Sequence, residues 1–431
     1  MFEHNKARLI ETIQSILAGM GLPVSDIEIK PIPFNGHWGV STSFFQIASI
    51  ESKQRGGLNV RERAQQIAVS VSQALQGLPG FERIEAVNGY LNAYFSQNEY
   101  AVQALQVILR EGDRFGQGQQ RPERIMVEFS QPNTHKAFHV GHLRTTVLGD
   151  AVCNILSFAG FQVIRANYIG DIGLHVIKWI WNYQKFHSDE QPPSDMVRWL
   201  GELYVEANRH LEEDPTAELE VRELFARWDR QEDDIVELWS QTRKWSLEAF
   251  EQVYRLLEIR FDQVFYESEM EDVGKAMVDD LIRRGIAKDQ RPDGAVIIPL
   301  DEIFGTKEKY RTLVILRSDG TSLYATKEIP LAIMKFEKFK LDRSIYVVDV
   351  RQSLHLQQTF KTLELMGYPW TSNCIHLAYE LVNLPGNVTI ASREGAVVLL
   401  EDLVEEASGR ALTIIKEKNP DLSEDQQKSI A

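Results

Sequence analysis

The chain has 431 residues, of which 43% are hydrophobic and 25% are charged, and its formal net charge is −15. This length predicts two or three domains, and the acidic balance argues against a protein that coats nucleic acid, although it does not exclude a local basic track. The two cysteines, Cys153 and Cys374, lie in apolar stretches and indicate a reduced, cytosolic protein without a disulfide. The N-terminus lacks the apolar core of a signal peptide, and no apolar run reaches the ~18 residues of a membrane span.

Residues 1–118 are predicted to form a small α+β domain. Apolar residues recur at helical spacing in the first 20 positions, and Asn59, followed three residues later by a glutamate, predicts the N-cap of a second helix. The stretch 84–95 contains an Asn-Gly pair between apolar runs and predicts a β-hairpin. This block holds no catalytic constellation, and a polar, glycine-rich link, residues 112–124, follows it.

The second block opens with a strand–loop–helix–strand pattern. Residues 125–129 predict a strand, residues 143–159 a helix with one apolar face, and residues 161–164 the next strand. Such a unit predicts a right-handed crossover and a parallel sheet. In parallel sheets ligands bind at the carboxyl ends of the strands, beside helix N-termini. The loop before the helix falls at that place.

This loop ends in the tetrad HVGH, residues 139–142. A helix N-terminus suits phosphate oxygens because its N–H groups are free, and Gly141 would let a flat ring such as adenine approach the backbone. His139, His142 and Lys136 can donate hydrogen bonds to a pentavalent phosphate as it forms. Taken alone, a His-x-x-His pair usually has no function or is half of a metal site. A metal needs a third ligand, and none is evident nearby, so no protein-held metal is expected.

The tetrad resembles the HIGH signature of class I aminoacyl-tRNA synthetases. The wider stretch VEFSQPNTHKAFHVGHLRTTVLGD, residues 127–150, with NYIGDIG at residues 167–173, resembles the arginyl-tRNA synthetases, and the likeness extends over nearly the whole chain. It implies an α/β fold: a catalytic domain at residues 119–405 with a HUP-type, Rossmann-like parallel sheet, preceded by the small α+β domain. In the family that first domain contacts the outer corner of the tRNA.

The resemblance also implies a helical connection, residues 406–431, to a C-terminal anticodon-binding domain that this sequence lacks. We interpret this as a truncated sequence. A natural paralogue that has lost anticodon recognition is the alternative.

Residues 186–292 interrupt the sheet pattern with acidic amphipathic helices, and in the family a helical insertion near the acceptor end of the tRNA occupies this region. Its charge is interpreted as a solvated face. Trp239, Trp245 and Phe250 are interpreted as helix packing rather than as a platform for bases. The sheet is expected to resume at residues 313–317.

Tyr324 and Glu328 are four residues apart and share one face of a predicted helix. Taken alone, such a pair usually means one surface and one core position. A guanidinium is planar and charged with five donors, so a carboxylate is its matching partner, and a tyrosine hydroxyl and a glutamine amide can fix its orientation. By resemblance the arginine-site positions are Glu128, Asn133, Tyr324, Glu328 and Gln352. Glu328 stands where the family normally has aspartate, and a carboxylate displaced by roughly 1 Å can lower a rate about a hundredfold.

The stretch TIASREGAVV, residues 389–398, occupies the place of the second class I signature, KMSKS, whose loop puts cations on the leaving pyrophosphate. It keeps Ser392, Arg393 and Gly395 but has no lysine. By resemblance Lys136 takes the place of a compensating lysine, and we expect it to share the phosphate charge with Arg393. The expected ATP contacts are His139, Gly141, His142, His355, Ser392 and Gly395. His135, next to Lys136, is expected to be a solvent-facing loop residue.

The resemblance implies an arginine–tRNA ligase, a cytoplasmic monomer without membrane association that joins L-arginine to tRNA(Arg) with ATP. Mg²⁺ would accompany ATP as a counterion of its phosphates, and the first step would require bound tRNA. One alternative is a paralogue that binds arginine or a nucleotide without charging tRNA. Another is a nucleotidylyltransferase of the same superfamily acting on a small cofactor, against which the first block and the region 324–352 argue.

Overall fold

The structure is a computed structural model, and it describes residues 2–24, 26–32, 38–381, 383–384, 388–389 and 399–431. The chain divides into two compact units, Met1–Gln117 and Gly118–Ala431. No helix in these described ranges is long and apolar enough to cross a membrane.

The first unit has an α+β fold. Its elements are α1 (Phe2–Gly19), β1 (Lys30–Pro31), β2 (Gly39–Ser43), α2 (Phe45–Arg55), α3 (Val60–Ala74), β3 (Phe81–Val87), β4 (Tyr90–Phe95) and α4 (Gln97–Glu111). The strands pair antiparallel in the order β1-β2-β4-β3, and the predicted hairpin forms between β3 and β4. Asn59 caps α3 as predicted, because its side chain accepts hydrogen bonds from the N–H groups of Arg61 and Glu62.

The second unit is an α/β fold. Its strands are β5 (Arg124–Glu128), β6 (Gln162–Ile169), β7 (Gln263–Tyr266), β8 (Lys288–Asp289), β9 (Val296–Pro299), β10 (Thr312–Leu316), β11 (Arg343–Asp349), β12 (Cys374–Tyr379), β13 (Asn383–Leu384) and β14 (Val388–Thr389). Its helices are α5 (Val140–Phe158), α6 (Leu174–Phe186), α7 (Met196–Glu213), α8 (Ala217–Asp229), α9 (Asp233–Leu256), α10 (Glu271–Arg283), α11 (Leu300–Phe304), α12 (Tyr324–Phe339), α13 (Ser353–Leu365), α14 (Leu400–Lys418) and α15 (Glu424–Ile430).

Five of these strands form a parallel sheet in the order β12-β11-β5-β6-β7. The strand–loop–helix–strand unit predicted from the sequence is β5, α5 and β6. After β5 the chain builds one side of the sheet with β6 and β7 and later returns to the other side of β5 with β11. In open α/β sheets ligands bind at the carboxyl ends of the strands where the order reverses in this way, and β5 is the strand at which it does.

Two strand predictions need correction. Four of the predicted residues 313–317 lie in a strand, β10 (Thr312–Leu316), but it pairs antiparallel with β9 in a separate three-stranded sheet and does not join the parallel sheet. The predicted helical insertion, residues 186–292, contains β7, which pairs with β6 and is an edge strand of the parallel sheet. Both errors concern which strand pairs with which, and local sequence patterns do not encode that choice.

The helices α6 to α9 form an apolar layer whose buried side chains include Trp179, Ile180 and Leu200. Trp245 and Phe250 are buried in the same cluster and Trp239 packs against it. The prediction that these three aromatic residues serve helix packing is therefore confirmed.

Candidate active site

A cavity of about 520 Å³ lies at the carboxyl ends of β5, β6 and β11. Its volume is typical of small-molecule sites. The residues predicted from the sequence that line it are Glu128, Asn133, His139, Gly141, His142, Tyr324, Glu328, Gln352 and His355. Positions up to 227 residues apart in the chain (128 to 355) thus meet at one place.

Four predicted residues remain, of which the structure describes one, Lys136. The Lys136 ammonium lies 5.1 Å from the centroid of the Tyr204 ring on α7, and in the described part of the chain Lys136 does not line the cavity. Ser392, Arg393 and Gly395 lie outside the described residues.

The two histidines of the tetrad are held by backbone N–H groups at the start of α5. Nδ1 of His139 accepts a hydrogen bond from the N–H of Gly141 (3.1 Å), and Nδ1 of His142 accepts one from the N–H of His139 (3.3 Å). The two rings stack with centroids 4.0 Å apart. Because each Nδ1 is an acceptor, a neutral ring carries its proton on Nε2, so each imidazole is a donor through Nε2.

Both imidazoles are neutral at pH 7. Burial lowers the pKa of His139 to about 4, and the positive charge of Lys136 acts in the same direction. Burial, with the positive charge of Lys136 in addition, also lowers the pKa of His142 well below its usual range. The pair can therefore donate two hydrogen bonds to a phosphate without carrying a full charge.

Gly141 has a steric role in this turn. A Cβ atom at this position would lie 2.8 Å from Cε1 and 2.9 Å from Nδ1 of His139. Any side chain would therefore press on the ring that the N–H of Gly141 holds in place. The glycine of the tetrad is thus needed for the position of the first histidine, in addition to the ligand access that the sequence suggested.

His135 is fully buried, so the expectation of a solvent-facing residue is wrong. Its Nε2 is 2.8 Å from the hydroxyl oxygen of Thr242 and its Nδ1 is 2.9 Å from that of Thr134, while its backbone N–H donates to Ser246 Oγ. Thr242 and Ser246 are one turn apart on α9, which covers the loop. Burial, with the charge of Arg243 as a lesser cause, lowers the pKa of His135 to about 3.

The acids of the cavity are already paired with internal cations. Glu128, at the end of β5, forms an ion pair with Lys335 of α12. Glu328 is 2.6 Å from Nε2 of His355. Glu267, another lining residue, is 2.6 Å from the Lys327 ammonium. A cationic ligand would therefore have to compete with these partners or share a carboxylate with them.

Sequence reasoning missed Lys335 and Glu267, which both line the cavity. Lys335 follows Glu328 by seven residues, two helical turns, so its spacing on α12 was an available signal. Glu267 follows β7, which the sequence assigned to the helical insertion, and no local pattern marked it.

The lowered histidine pKa values predict acid lability. Free imidazoles protonate near pH 6.5, whereas folded His135, His139, His142 and His175 resist protonation because burial lowers their pKa. The unfolded chain therefore binds more protons than the folded chain below pH 6.5, so the free energy of unfolding decreases as the pH is lowered. For His135 alone the loss between pH 6.5 and 5 is about 2 kcal/mol.

Urea unfolding followed by tryptophan fluorescence at pH 7.0 and 5.0 measures this loss. In His135→Gln, whose amide does not titrate, the number of protons taken up on unfolding at pH 5 is expected to be smaller by about one. Equal pH dependence of the variant and the original chain would contradict the assignment.

In the described part of the chain, no group of three or more His, Cys, Asp or Glu side chains is arranged to hold a metal ion.

Comparisons with known proteins agree with this geometry. The family described as tRNA synthetases class I (R), catalytic domain, matches residues 104–431. An arginine–tRNA ligase of Bdellovibrio bacteriovorus is 36% identical over 346 residues, 79% of this chain and 57% of the relative. One of Clostridium acetobutylicum is 32% identical over 404 residues, 94% of this chain and 68% of the relative.

Among solved structures, the arginyl-tRNA synthetase of Thermus thermophilus aligns with a TM-score of 0.60 at 24% identity and covers 98% of this chain and 72% of that structure. That of Plasmodium falciparum gives 0.56 at 19% identity over the same shares. These likenesses show the fold. The chain spans 57% of the length of the Bdellovibrio relative and 68% of the Clostridium acetobutylicum relative. From the match to the family and the identity to these relatives, the chain belongs to the class I arginyl-tRNA synthetases and carries their catalytic domain.

Proposed function

We propose that this chain acts as an arginine–tRNA ligase, which activates L-arginine with ATP and transfers it to tRNA(Arg) during translation in the cytoplasm. The observation that carries the proposal is the meeting of a neutral histidine pair at a helix N-terminus with acids from β5 and α12 in one cavity. The relatives named arginine–tRNA ligase support it.

The amino-acid end of the cavity is assigned to the acids. The guanidinium of arginine would bind Glu328, with the hydroxyl of Tyr324 and the amide of Gln352 fixing its plane. Glu128 and Asn133 complete the lining of this end. A charged planar group with five donors needs a carboxylate and several neutral acceptors, and this set supplies both.

The nucleotide end is assigned to the start of α5. The Nε2–H groups of His139 and His142 would donate to the phosphate oxygens of ATP, and the positive end of the helix dipole favours the same charge. Arg144 and Arg351 also line the cavity and would add cations there. Lys136 and Arg393 are proposed to share the charge of the leaving pyrophosphate, as the sequence suggested. The other residues assigned to ATP are His355, Ser392 and Gly395.

The reaction follows in two steps. A carboxylate oxygen of arginine attacks the α-phosphorus of ATP, forming arginyl-adenylate while pyrophosphate leaves. A ribose hydroxyl at the end of the tRNA then attacks the activated carbonyl, forming the ester while AMP leaves. The protein contributes position and electrostatic stabilisation and forms no covalent bond to the substrate. Mg²⁺ would be bound by the phosphates of ATP, as is common for this ion.

The test of this function is arginine-dependent ATP–pyrophosphate exchange in the presence of tRNA(Arg). Exchange is expected with arginine and not with lysine or citrulline. Absence of exchange, with no binding of arginine or ATP, would contradict the proposal. Binding of both without transfer to tRNA would support instead the paralogue that does not charge tRNA.

Lys136→Ala is expected to slow this exchange about tenfold or more, because a cation close to the histidine pair is lost. Lys136→Arg, which keeps the charge, is the matched control. An unchanged exchange rate in Lys136→Ala would show that Lys136 takes no part in phosphate stabilisation.

Arginine binding is expected to depend on pH through His355. Burial lowers the pKa of His355, but the charge and hydrogen bond of Glu328 outweigh it, so the net pKa is raised above 6.5. A guanidinium that takes the Glu328 carboxylate must displace the imidazolium, which then releases its proton. The affinity for arginine should therefore increase as pH rises through this raised pKa.

Calorimetry of arginine binding between pH 6 and 9, in two buffers of different ionisation enthalpy, measures the protons released. About one proton per arginine is expected where His355 is protonated before binding, falling to about half a proton at its pKa, and none is expected in His355→Asn. Proton release that is equal in the two proteins would rule out His355 as its source.

A further inference from the structure

A fully buried ammonium group lies beside the amino-acid end of the cavity. Lys335 of α12 is 1% exposed, and its ion-pair partner Glu128 is 3% exposed. The ammonium also faces the rings of Tyr346, Phe265 and Tyr168, at 5.0, 5.3 and 6.0 Å from their centroids. A lysine is almost never this buried without a partner, so the ion pair is a built feature of the site.

The pair fixes the orientation of the Glu128 carboxylate. One oxygen, Oε2, is held by Lys335, and the other, Oε1, accepts a hydrogen bond of 3.0 Å from the side-chain amide of Gln131. The backbone of Glu128 is held between β6 and β11, beside Ala166 and Tyr346. Both carboxylate oxygens and the strand that carries them are therefore constrained.

The pair also compensates the buried carboxylate electrostatically. An isolated charge is costly in a low-dielectric setting, and the ammonium of Lys335 supplies the opposite charge within the ion pair. An oriented carboxylate is the acceptor that a cationic ligand needs.

We propose that Lys335 is a positioning residue of the amino-acid site, which holds the carboxylate of Glu128 in place for a cationic amino acid. This inference rests on the proposed function. Lys335 acts through Glu128 and does not itself bind the substrate. Because Lys335 and Glu328 lie two turns apart on α12, one rigid helix fixes the position of one acid and carries the other.

Other titratable groups surround the pair. The phenols are Tyr168 and Tyr346, whose pKa values burial raises well above 10, and burial raises the pKa of the Cys374 thiol to about 12. These groups therefore stay protonated and uncharged between pH 6 and 9.

The further titratable groups of the cavity include the carboxylates Glu267 and Glu328 and the imidazole His355. Burial raises the pKa of Glu267, with Lys327 opposing it. All three remain in every Lys335 variant, so a difference between variants reports on Glu128.

The test is calorimetric measurement of arginine affinity from pH 6 to 9 for the original chain, Lys335→Arg and Lys335→Met. Lys335→Arg keeps the cation and is expected to bind within about threefold of the original at every pH. Lys335→Met removes the cation that holds Oε2 of Glu128 and is expected to bind arginine at least about tenfold more weakly.

A Lys335→Met affinity equal to that of the original chain, or a Lys335→Arg affinity as weak as that of Lys335→Met, overturns the inference. Failure of the original chain to bind arginine at any pH overturns the proposed function, and this inference with it. The affinity for ATP should stay within about twofold in all three proteins, which separates loss of the amino-acid site from general damage.

A second comparison keeps the test valid if Lys335→Met does not fold. Glu128→Gln and the double variant Glu128→Gln/Lys335→Met both lack the carboxylate. If Lys335 acts only through Glu128, the two should bind arginine with equal affinity within about twofold. A double variant at least about tenfold weaker than Glu128→Gln would show that Lys335 acts independently and would overturn the inference.

Discussion

Replacing His142 with alanine is expected to slow arginine- and tRNA-dependent ATP–pyrophosphate exchange by about 10²- to 10³-fold, the usual effect of removing one donor to a developing anion. The reason is the fixed tautomer. Nδ1 of His142 accepts the N–H of His139, so Nε2 carries the proton that the forming pentavalent phosphate would receive as a hydrogen bond. Arginine affinity should change less than about threefold.

The neutral state of His142 adds a second expectation. Because burial lowers its pKa well below the usual range, raising the pH from 6.5 to 8 should not remove an active imidazolium at this position. A mechanism that needs a charged His142 would lose activity over that interval. Measuring the exchange rate of Lys136→Ala and of the original chain over the same pH range separates the contribution of Lys136 to the pH dependence.

Two controls accompany the His142 variant. His4→Ala changes an exposed histidine of α1 and should leave exchange unchanged. Thermal unfolding shows whether His142→Ala remains folded, because the variant also loses an acceptor at the start of α5, worth about 1 kcal/mol. A folded His142→Ala whose exchange slows less than about fivefold would contradict the assignment.

Glu328→Gln is expected to weaken arginine binding at least about a hundredfold. The amide is nearly the same shape as the carboxylate but removes the negative charge that a guanidinium requires. Truncating one partner of a buried hydrogen-bonded charge pair typically costs about 2–5 kcal/mol. ATP affinity should change less than about tenfold, since the histidine pair assigned to the phosphates lies at the start of α5 and His355 is retained in the variant.

Glu328→Asp is the informative companion. It keeps the charge but withdraws the carboxylate by one methylene and should break the 2.6 Å contact with His355. The variant should bind arginine within about tenfold of the original and lose the proton release linked to His355. Unchanged arginine affinity in Glu328→Gln would show that the guanidinium binds elsewhere.

The sequence predicted local elements well where the signal is local. The N-cap at Asn59 and the Asn-Gly hairpin depend on residues close together in the chain, and the β5–α5–β6 unit depends on three consecutive elements; each forms. The site residues were found through a motif at the start of α5 and by resemblance, and nine of them line one cavity.

What the sequence missed depends on distant pairing. Residues 313–317 have the composition of a strand, but their sequence does not indicate that the strand pairs with β9 instead of the parallel sheet. His135 was taken for a surface residue because its partner Thr242 is 107 residues away. Lys335 and Glu128 are separated by 207 residues, so neither could be recognised as half of an ion pair.

One cavity is proposed to hold ATP at the start of α5 and arginine at Glu328. A crystal structure with L-arginine and a non-hydrolysable ATP analogue would locate both ligands. Phosphate oxygens are expected within hydrogen-bond distance of Nε2 of His139 and His142, and the guanidinium on the Glu328 carboxylate. An empty cavity, or a guanidinium bound away from Glu328, would contradict this assignment.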